Sequence, residues 1–489
     1  MAARALSLLL IVPIISAFTH PGLLVTNQDI SRAKAKIAAE KEPWLGSWNK
    51  LTSLEFSNTS YTNNAVATVS RATNGELLWH DAAAAFNLAL RWRISGEEEY
   101  AKTATDVLVA WAEKLESLSG GGDDDYLTAG VQGYELANAA ELLRDYAPFA
   151  DNGLSTVSSM MVNIFLPMNI DFINHVLPSE HNVKHFFANW ELCNLASIMA
   201  IGVLTDNQTA WNFAVDYFKN GDGNGAINNA VSNIVEEPDT GKSLGQGQES
   251  GRDQGHSALD WQLLGAIGQQ AWNQGEDLFA YNNSRILLGA EYFARYNLGH
   301  DVPFEPYTNG IVSYTEVSSK SRGAIRPTWE LLYAHYVQIK GLEAPWTTAY
   351  LNNTLEWYGG FEGGAGSWGE GSGHYDGLGW GSLLYHLDES DLALTTTSSS
   401  IVASSTSTTK AATITTAIIP ETASTSITEA ATELSSTTII PGTTITPSET
   451  PITRVQSSAI AQSTHVPSSS QANPTGHKKK PCSLRGIRR

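Results

Sequence analysis

A chain of 489 residues with 50 Asp and Glu against 30 Lys and Arg carries a formal charge of −20, which argues against nucleic acid or an anionic membrane surface as a partner. Its two cysteines, Cys193 and Cys482, do not make a disulfide framework, so the fold has to be held by a buried core. The charge is uneven: residues 395–489 hold eight Lys and Arg and four Glu, and with Arg4 also set aside about −25 remains on the rest.

At the start, Arg4 precedes the apolar run from Leu6 to Ile15, which ends in Ser16-Ala17 before Phe18. That order matches a secretory signal peptide over residues 1–17, and the run is too short to span a bilayer. A secreted, extracellular, soluble protein is expected, with association with a cell wall as a variant of that reading. Sequons at Asn58, Asn207, Asn282 and Asn352 are compatible with N-glycosylation.

From residue 18 to residue 394, helix-length amphipathic patterns follow one another between Gly, Asn, Asp and Pro punctuation. They cover residues 82–94, 101–118, 135–146, 192–204, 210–218, 259–272, 285–296 and 328–339. Strand-like alternation is scarce before the glycine-rich stretch from Gly359 to Gly381. The fold class is therefore mainly α, with paired antiparallel helices closed into a toroid or stacked as a solenoid. No fixed-period repeat is present, which argues against tetratricopeptide or ankyrin arrays. Cys193 falls inside an apolar helix pattern and reads as a small buried hydrophobe.

Several polar groups stand out along this helical part. Gln132 and Tyr134 open the helix expected over 135–146, where either sugar contact or capping would explain them. His181 and His185 are four apart and would share a face if helical, but no third ligand of obvious spacing follows, so no metal is expected. Asn189 precedes the pattern over 192–204 and reads equally as its N-cap or as a carboxylate-binding amide.

The segment Gln246-Gly247-Gln248-Glu249-Ser250-Gly251-Arg252-Asp253-Gln254-Gly255-His256 is polar, glycine-rich and runs into the apolar pattern at Leu259. Ser250 and Asp253 have capping-box spacing, predicting a helix start near Gly251 with Arg252 and His256 on one face. Arg252 could equally pair with Glu249 or Asp253. Further on, the loop from Pro303 to Tyr314 offers Tyr307 and Tyr314, and Arg326 precedes a helix at 328–339. The Ser/Thr-rich stretch from residue 395 cannot bury enough apolar surface to offset its backbone entropy, so a disordered, O-glycosylated tail is expected over 395–489.

Taken together, the opening Phe18-Thr19-His20-Pro21-Gly22-Leu23-Leu24, the block Ala188-Asn189-Trp190, the loop Gly247 to His256, Ala271-Trp272-Asn273-Gln274-Gly275 and Tyr296-Asn297-Leu298-Gly299 resemble the alginate-lyase-domain family of polysaccharide lyases. The resemblance covers roughly Phe18 to Tyr385 and implies an (α/α) toroid that cleaves uronate-containing polysaccharides by β-elimination. Such a reaction removes the weakly acidic C5 proton of a uronate, so its carboxylate must be neutralised or hydrogen-bonded, and a base and an acid must reach C5 and O4. No cofactor is needed.

The resemblance implies an Asn-His pair at a helix start, completed by a later Arg and Tyr. Asn189 matches the Asn, but Trp190 stands where the His is expected. The site expected here therefore has Asn189 and Arg252 on the carboxylate, His256 as base and Tyr314 as acid. Gln132, Trp190, Gln248, Glu249, Tyr307 and Arg326 are expected along the substrate, an acidic polysaccharide such as alginate or glucuronan, with the chain acting as a monomer. Arg252, Arg322 and Arg326 would supply a local positive field in an acidic protein. An inverting glycoside hydrolase using Glu249 and Asp253 and a non-catalytic carbohydrate-binding protein stand as alternatives.

Overall fold

The structure, a computed structural model, describes residues 17–179, 181–367 and 375–393. The expected signal peptide apart from Ala17, the expected tail from residue 395 and Cys482 lie outside them. In chain order the helices are α1 (Asn27–Ala38), α2 (Trp44–Ser53), α3 (Gly75–Ser95), α4 (Glu98–Lys114), α5 (Asp124–Leu142), α6 (Leu154–Met160), α7 (Leu166–Ile173), α8 (Ala188–Leu204), α9 (Gln208–Asn220), α10 (Ile227–Ala230), α11 (Gln254–Asn273), α12 (Tyr281–Asn297), α13 (Trp329–Tyr333), α14 (Pro345–Tyr358) and α15 (Gly381–Leu384). Three two-stranded sheets accompany them: β1 (Thr68–Val69) beside β2 (Ser117–Leu118) in parallel, β3 (Val231–Glu236) against β4 (Ser243–Gly247), and β5 (Tyr307–Thr308) against β6 (Ser313–Tyr314).

The helices form two concentric layers. Helix α1 packs on α3, α3 on α5, α5 on α8, α8 on α11, α11 on α13, α13 on α15, and α15 returns to α1, closing a ring. Outside it, α4 covers α3, α9 covers α8, α12 covers α11 and α14 covers α12 and α13. The residues sort accordingly. Inner helix α8 is buried at every position except Trp190, whereas outer helix α4 buries Tyr100, Ala101, Ala104, Val107, Leu108 and Trp111, the three-four spacing of a single apolar face. The toroid expected from the sequence is thus the observed architecture.

Closure is polar as well as apolar. Lys36 of α1 reaches Asp388 at 2.6 Å and Asp391 at 2.9 Å, and the Tyr385 hydroxyl donates to the carbonyl of Leu24 at 3.0 Å. Asn138 of α5 accepts from the Leu24 amide at 2.9 Å, so the first segment is tied both to the last helix and to the middle of the ring.

Two elements differ from the sequence reading. Helix α5 begins at Asp124 and runs through Gly130 and Gly133, which the punctuation argument placed before the helix. A Cβ at Gly130 would lie 2.3 Å from Cys193 Sγ, and one at Gly133 would lie 2.2 Å from Ser197 Oγ. These glycines let α5 and α8 approach closely; they do not end a helix. The run Phe149–Ile173 is a continuous helical stretch containing α6, α7 and two π-helical turns. It is long and apolar enough to cross a membrane, yet Phe149, Val157, Met161, Phe165 and Phe172 are wholly buried in the protein.

Asn87, fully buried on α3, donates to the Ala365 carbonyl at 2.9 Å and accepts from Trp380 Nε1 at 2.8 Å. Asn87→Ala leaves both partners unsatisfied in the core and is expected to cost about 3 kcal/mol. A urea titration should show a lower midpoint at unchanged slope; a loss below about 1 kcal/mol would mean that this tie is not structural.

Candidate active site

The first amides of α8 need acceptors, because nothing precedes them in the helix. Phe187 occupies the N-cap position and its side chain cannot accept a hydrogen bond. The turn that follows β4 supplies the acceptors instead: Gln248 Oε1 takes the Ala188 N–H at 2.9 Å, and Glu249 Oε1 takes the Asn189 N–H at 3.1 Å. A carboxylate at a helix N-terminus also meets the positive end of the helix dipole. Asn189 is therefore in the first turn of α8 and is not its N-cap.

Glu249 is fully buried and joins the site together. Its Oε1 also accepts from Asn189 Nδ2 at 2.5 Å, while Oε2 pairs with Arg252 Nη1 at 2.8 Å. The guanidinium of Arg252 stacks on the Phe187 ring, 3.9 Å from its centroid. One carboxylate thus places Asn189 beside Arg252 although 62 positions separate them in sequence. One amide hydrogen of Asn189 and the remaining guanidinium N–H groups are left for a further acceptor.

Helix α11 starts at Gln254, three residues later than predicted, because Asp253 is its N-cap and takes the His256 N–H at 2.9 Å. The same carboxylate holds His256 Nδ1 at 2.8 Å and Lys320 Nζ at 3.4 Å. Burial works to raise the Asp253 carboxyl, but the His256 ring and amide outweigh it and hold the group well below the usual carboxylate range. Asp253 is thereby an ionised orienter for His256, whose other nitrogen, Nε2, is the one available for proton transfer. Arg252 lies in the turn before the helix, so it and His256 do not share a helix face as the capping-box reading implied.

Tyr307 and Tyr314 are cross-strand neighbours in the β5–β6 hairpin. Tyr314 lies on the loop: a Cβ at Gly251 would come within 2.5 Å of Tyr314 Cβ. Burial raises the Tyr314 hydroxyl while neighbouring Arg252 opposes the rise. Tyr307 instead donates to Asn224 Oδ1 at 3.3 Å, and burial raises its pKa too.

Of the other expected substrate contacts, Arg326 is at the site, with Nη1 3.3 Å from Gln262 Oε1 and 3.5 Å from Asp376 Oδ2. Gln132 is not at the surface: it is fully buried mid-helix on α5, beside Glu135 at 3.4 Å. Gln248 and Glu249 are buried by their ties to α8, so they act on the site through Asn189 and Arg252. Trp190 stacks on Phe172 with centroids 5.9 Å apart and contacts Phe186 at 5.1 Å, which commits its ring to an aromatic cluster. Arg322 is held by the carbonyls of Tyr296 and His300 and by the Tyr296 ring, so its donors are committed to the fold. His181 and His185 lie in an irregular segment, and their four-residue spacing puts them on no helix face. Glu249 and Asp253 are both engaged and buried, which removes them as an opposed hydrolase pair.

Sequence reasoning missed four charged participants. Arg71 reaches Asp376 at 3.8 Å, opposite Arg326. Asp260, on the first turns of α11, is 2 % exposed, and burial together with Glu249 raises its pKa well above the usual carboxylate value, Arg252 and Arg326 opposing. Glu135 is likewise raised well above the ordinary range by burial, and Asp376 is raised by burial against Arg326 and Arg71. A carboxylate inside an apolar helix pattern was a readable signal for Asp260; Arg71 and Asp376 had no local signal. Burial thus disfavours the charged forms of Asp260 and Glu135 near Arg71, Arg252 and Arg326, which favours a positive local field at the site of an acidic protein.

Residues 171–302 match the alginate lyase family model. That segment, 132 of the 489 residues, is similar to the alginate lyase family. Among solved structures, a histidine-to-alanine variant of alginate lyase A1-III, from Sphingomonas species A1, complexed with a tetrasaccharide, aligns at 12 % identity with a TM-score of 0.50, covering 76 % of this chain and 98 % of that one. An alginate lyase from Bacteroides ovatus aligns at 12 % identity with a TM-score of 0.48, covering 76 % and 100 %. At such identity the likeness to A1-III is one of fold. A search of curated proteins finds no match. Asn189, Glu249, Arg252 and His256 all fall within the segment matched by the alginate lyase model.

The raised pKa of Asp260 has a consequence for stability. A carboxyl whose folded pKa is raised stays protonated in the fold and ionises in the unfolded chain, so stability declines as pH rises above the unfolded value of 3.8. Asp260→Asn keeps the side chain's shape and removes that penalty. Denaturation curves should show the variant gaining on the wild type from about pH 4 to about pH 8; a constant difference across that range would place no proton on Asp260.

Proposed function

We propose that this protein is a polysaccharide lyase that cleaves a uronate-containing polymer, of alginate or glucuronan type, by β-elimination. The observation that carries the reading is the Asn189–Glu249–Arg252 chain of contacts, with Tyr314 lying on Gly251 and His256 one turn into α11. Arg252 and the second Nδ2–H of Asn189 present donors to one carboxylate, and a guanidinium suits a carboxylate because it can bind it through two parallel hydrogen bonds. Neutralising that carboxylate lowers the cost of the charge that develops when C5 loses its proton.

His256 takes the C5 proton through Nε2, its ring fixed by the ionised Asp253. Tyr314, kept protonated by burial, gives its proton to O4 of the departing sugar. The C4–O4 bond breaks as the C4–C5 double bond forms, so atoms and charge balance with no further reactant. The order of Arg4, the apolar run and Ser16-Ala17 supports secretion, and Asn58, Asn282 and Asn352 are exposed sequon residues, as glycosylation would require.

The test is formation of unsaturated sugar ends, followed by ultraviolet absorbance, on alginate, glucuronan, pectate and glycosaminoglycans. At least one polymer is expected to react. His256→Gln and Arg252→Ala should each lower kcat/KM by about 10²–10⁴-fold with the circular dichroism spectrum unchanged. Hydrolysis of a neutral glycan without absorbing products, or full activity in both variants, would overturn the assignment.

A further inference from the structure

A concave site lies beside the Arg71 and Arg326 pairs with Asp376. It is a cavity of about 560 Å³ whose aromatic walls are Phe56, Tyr61, Trp79, His80 and Tyr375. The walls are preformed. Asp81, fully buried on α3, accepts from the Tyr61 hydroxyl at 2.8 Å, the Asn64 N–H at 2.7 Å, Asn64 Nδ2 at 2.9 Å and Trp111 Nε1 at 2.6 Å. These bonds fix the 61–64 loop over the same helix that presents Trp79 and His80. On the far side, His80 packs against Tyr375 at 4.7 Å and Phe56 against Tyr375 at 5.6 Å.

The cavity meets these arginine–Asp376 pairs through two direct links. Tyr375 in its wall is followed by Asp376, the partner of Arg326 and Arg71. Trp79 lies under the Arg71 guanidinium, 5.1 Å from the ring centroid. A polymer seated on Arg252 and Arg326 and extended past Arg71 meets this cavity next.

Its charge is opposite to that of the cleft. Among the described residues that line it are Glu55 and Glu76, both exposed, and no Lys or Arg. Aromatic rings with a few polar groups between them suit the apolar faces and hydroxyls of a sugar ring. Two carboxylates in the same space work against a sugar that brings a third, so the site discriminates by repulsion as well as by fit.

We infer that this cavity is a subsite for an uncharged sugar, so that elimination at a uronate of the kind found in alginate or glucuronan extends to, and is fastest in, polymers that place a neutral residue near the uronate that is cleaved. The inference rests on the lyase reading for its place in the reaction, while the binding it asserts is separable from catalysis.

The test uses the full chain and two substrate types: a homopolyuronate, and a polymer in which glucuronate is flanked by neutral sugars. The mixed polymer should give a kcat/KM at least about 10-fold higher. Trp79→Ala should raise KM for it about 10-fold with kcat nearly unchanged. Glu76→Lys, an exposed change that does not threaten folding, should improve use of the homopolyuronate.

Xylotetraose and cellotetraose, titrated against the protein with tryptophan fluorescence as the readout, should bind the wild type and bind Trp79→Ala weakly. Preference for the homopolyuronate, or unsaturated ends whose formation neither variant changes, would overturn the subsite while the lyase reading stood. Tetraose binding that depends on Trp79, with no unsaturated ends from any polymer, would keep the subsite and remove the elimination chemistry.

Discussion

A carboxylate sealed from water has to be surrounded by donors or give up its charge, and Glu249 resolves that demand in a way that builds the site. One oxygen gathers the backbone and side-chain amides of Asn189, and the other takes Arg252. The same group caps α8 and so fixes the junction between two inner helices of the ring. Removing it would take an acceptor from the Asn189 backbone amide, the Asn189 side chain and the Arg252 guanidinium at once. Stability of the inner ring and geometry of the cleft are therefore not separate properties of this protein.

Burial sets the electrostatics around that carboxylate. In water, Glu135, Glu249, Asp260 and Asp376 would outweigh three arginines and repel an acidic polymer. In the interior, desolvation pushes Asp260 and Glu135 toward the neutral form, which favours a positive local field around the arginines. That field acts over the few ångströms that matter, where salt screens it least. Asp253 shows the opposite outcome seven positions before Asp260: tied to His256 and its amide, it stays ionised and orients the ring.

The loop from Gln246 to His256 was legible because glycines, a carboxylate, a cation and an imidazole crowded together before a long apolar pattern, and few structural needs explain such a set. The helix start was misplaced by three residues because Ser250 and Asp253 have capping-box spacing, while Asp253 alone makes the cap by accepting from His256. Gly130 and Gly133 read as punctuation, since a sequence does not show that their missing side chains admit another helix. Asn189 was found by resemblance, but its role depends on a contact 60 residues away that no local pattern encodes. Trp190 and Gln132 were assigned to the groove on residue type; packing assigned one to an aromatic cluster and the other to the core. Helices α1 and α2 are not among the patterns read from the sequence; α1 closes the ring against α15 and α3, and α2 packs beside it on α1, α3 and α15.

The most direct measurement of the central claim is a crystal structure of the His256→Gln protein with a uronate oligosaccharide bound. The account predicts one sugar carboxylate within hydrogen-bond distance of both Asn189 Nδ2 and the Arg252 guanidinium, with Glu249 still bridging the two and Tyr314 facing the glycosidic oxygen. A bound sugar acid that contacts Arg326 or Arg71 but neither Asn189 nor Arg252 would contradict it.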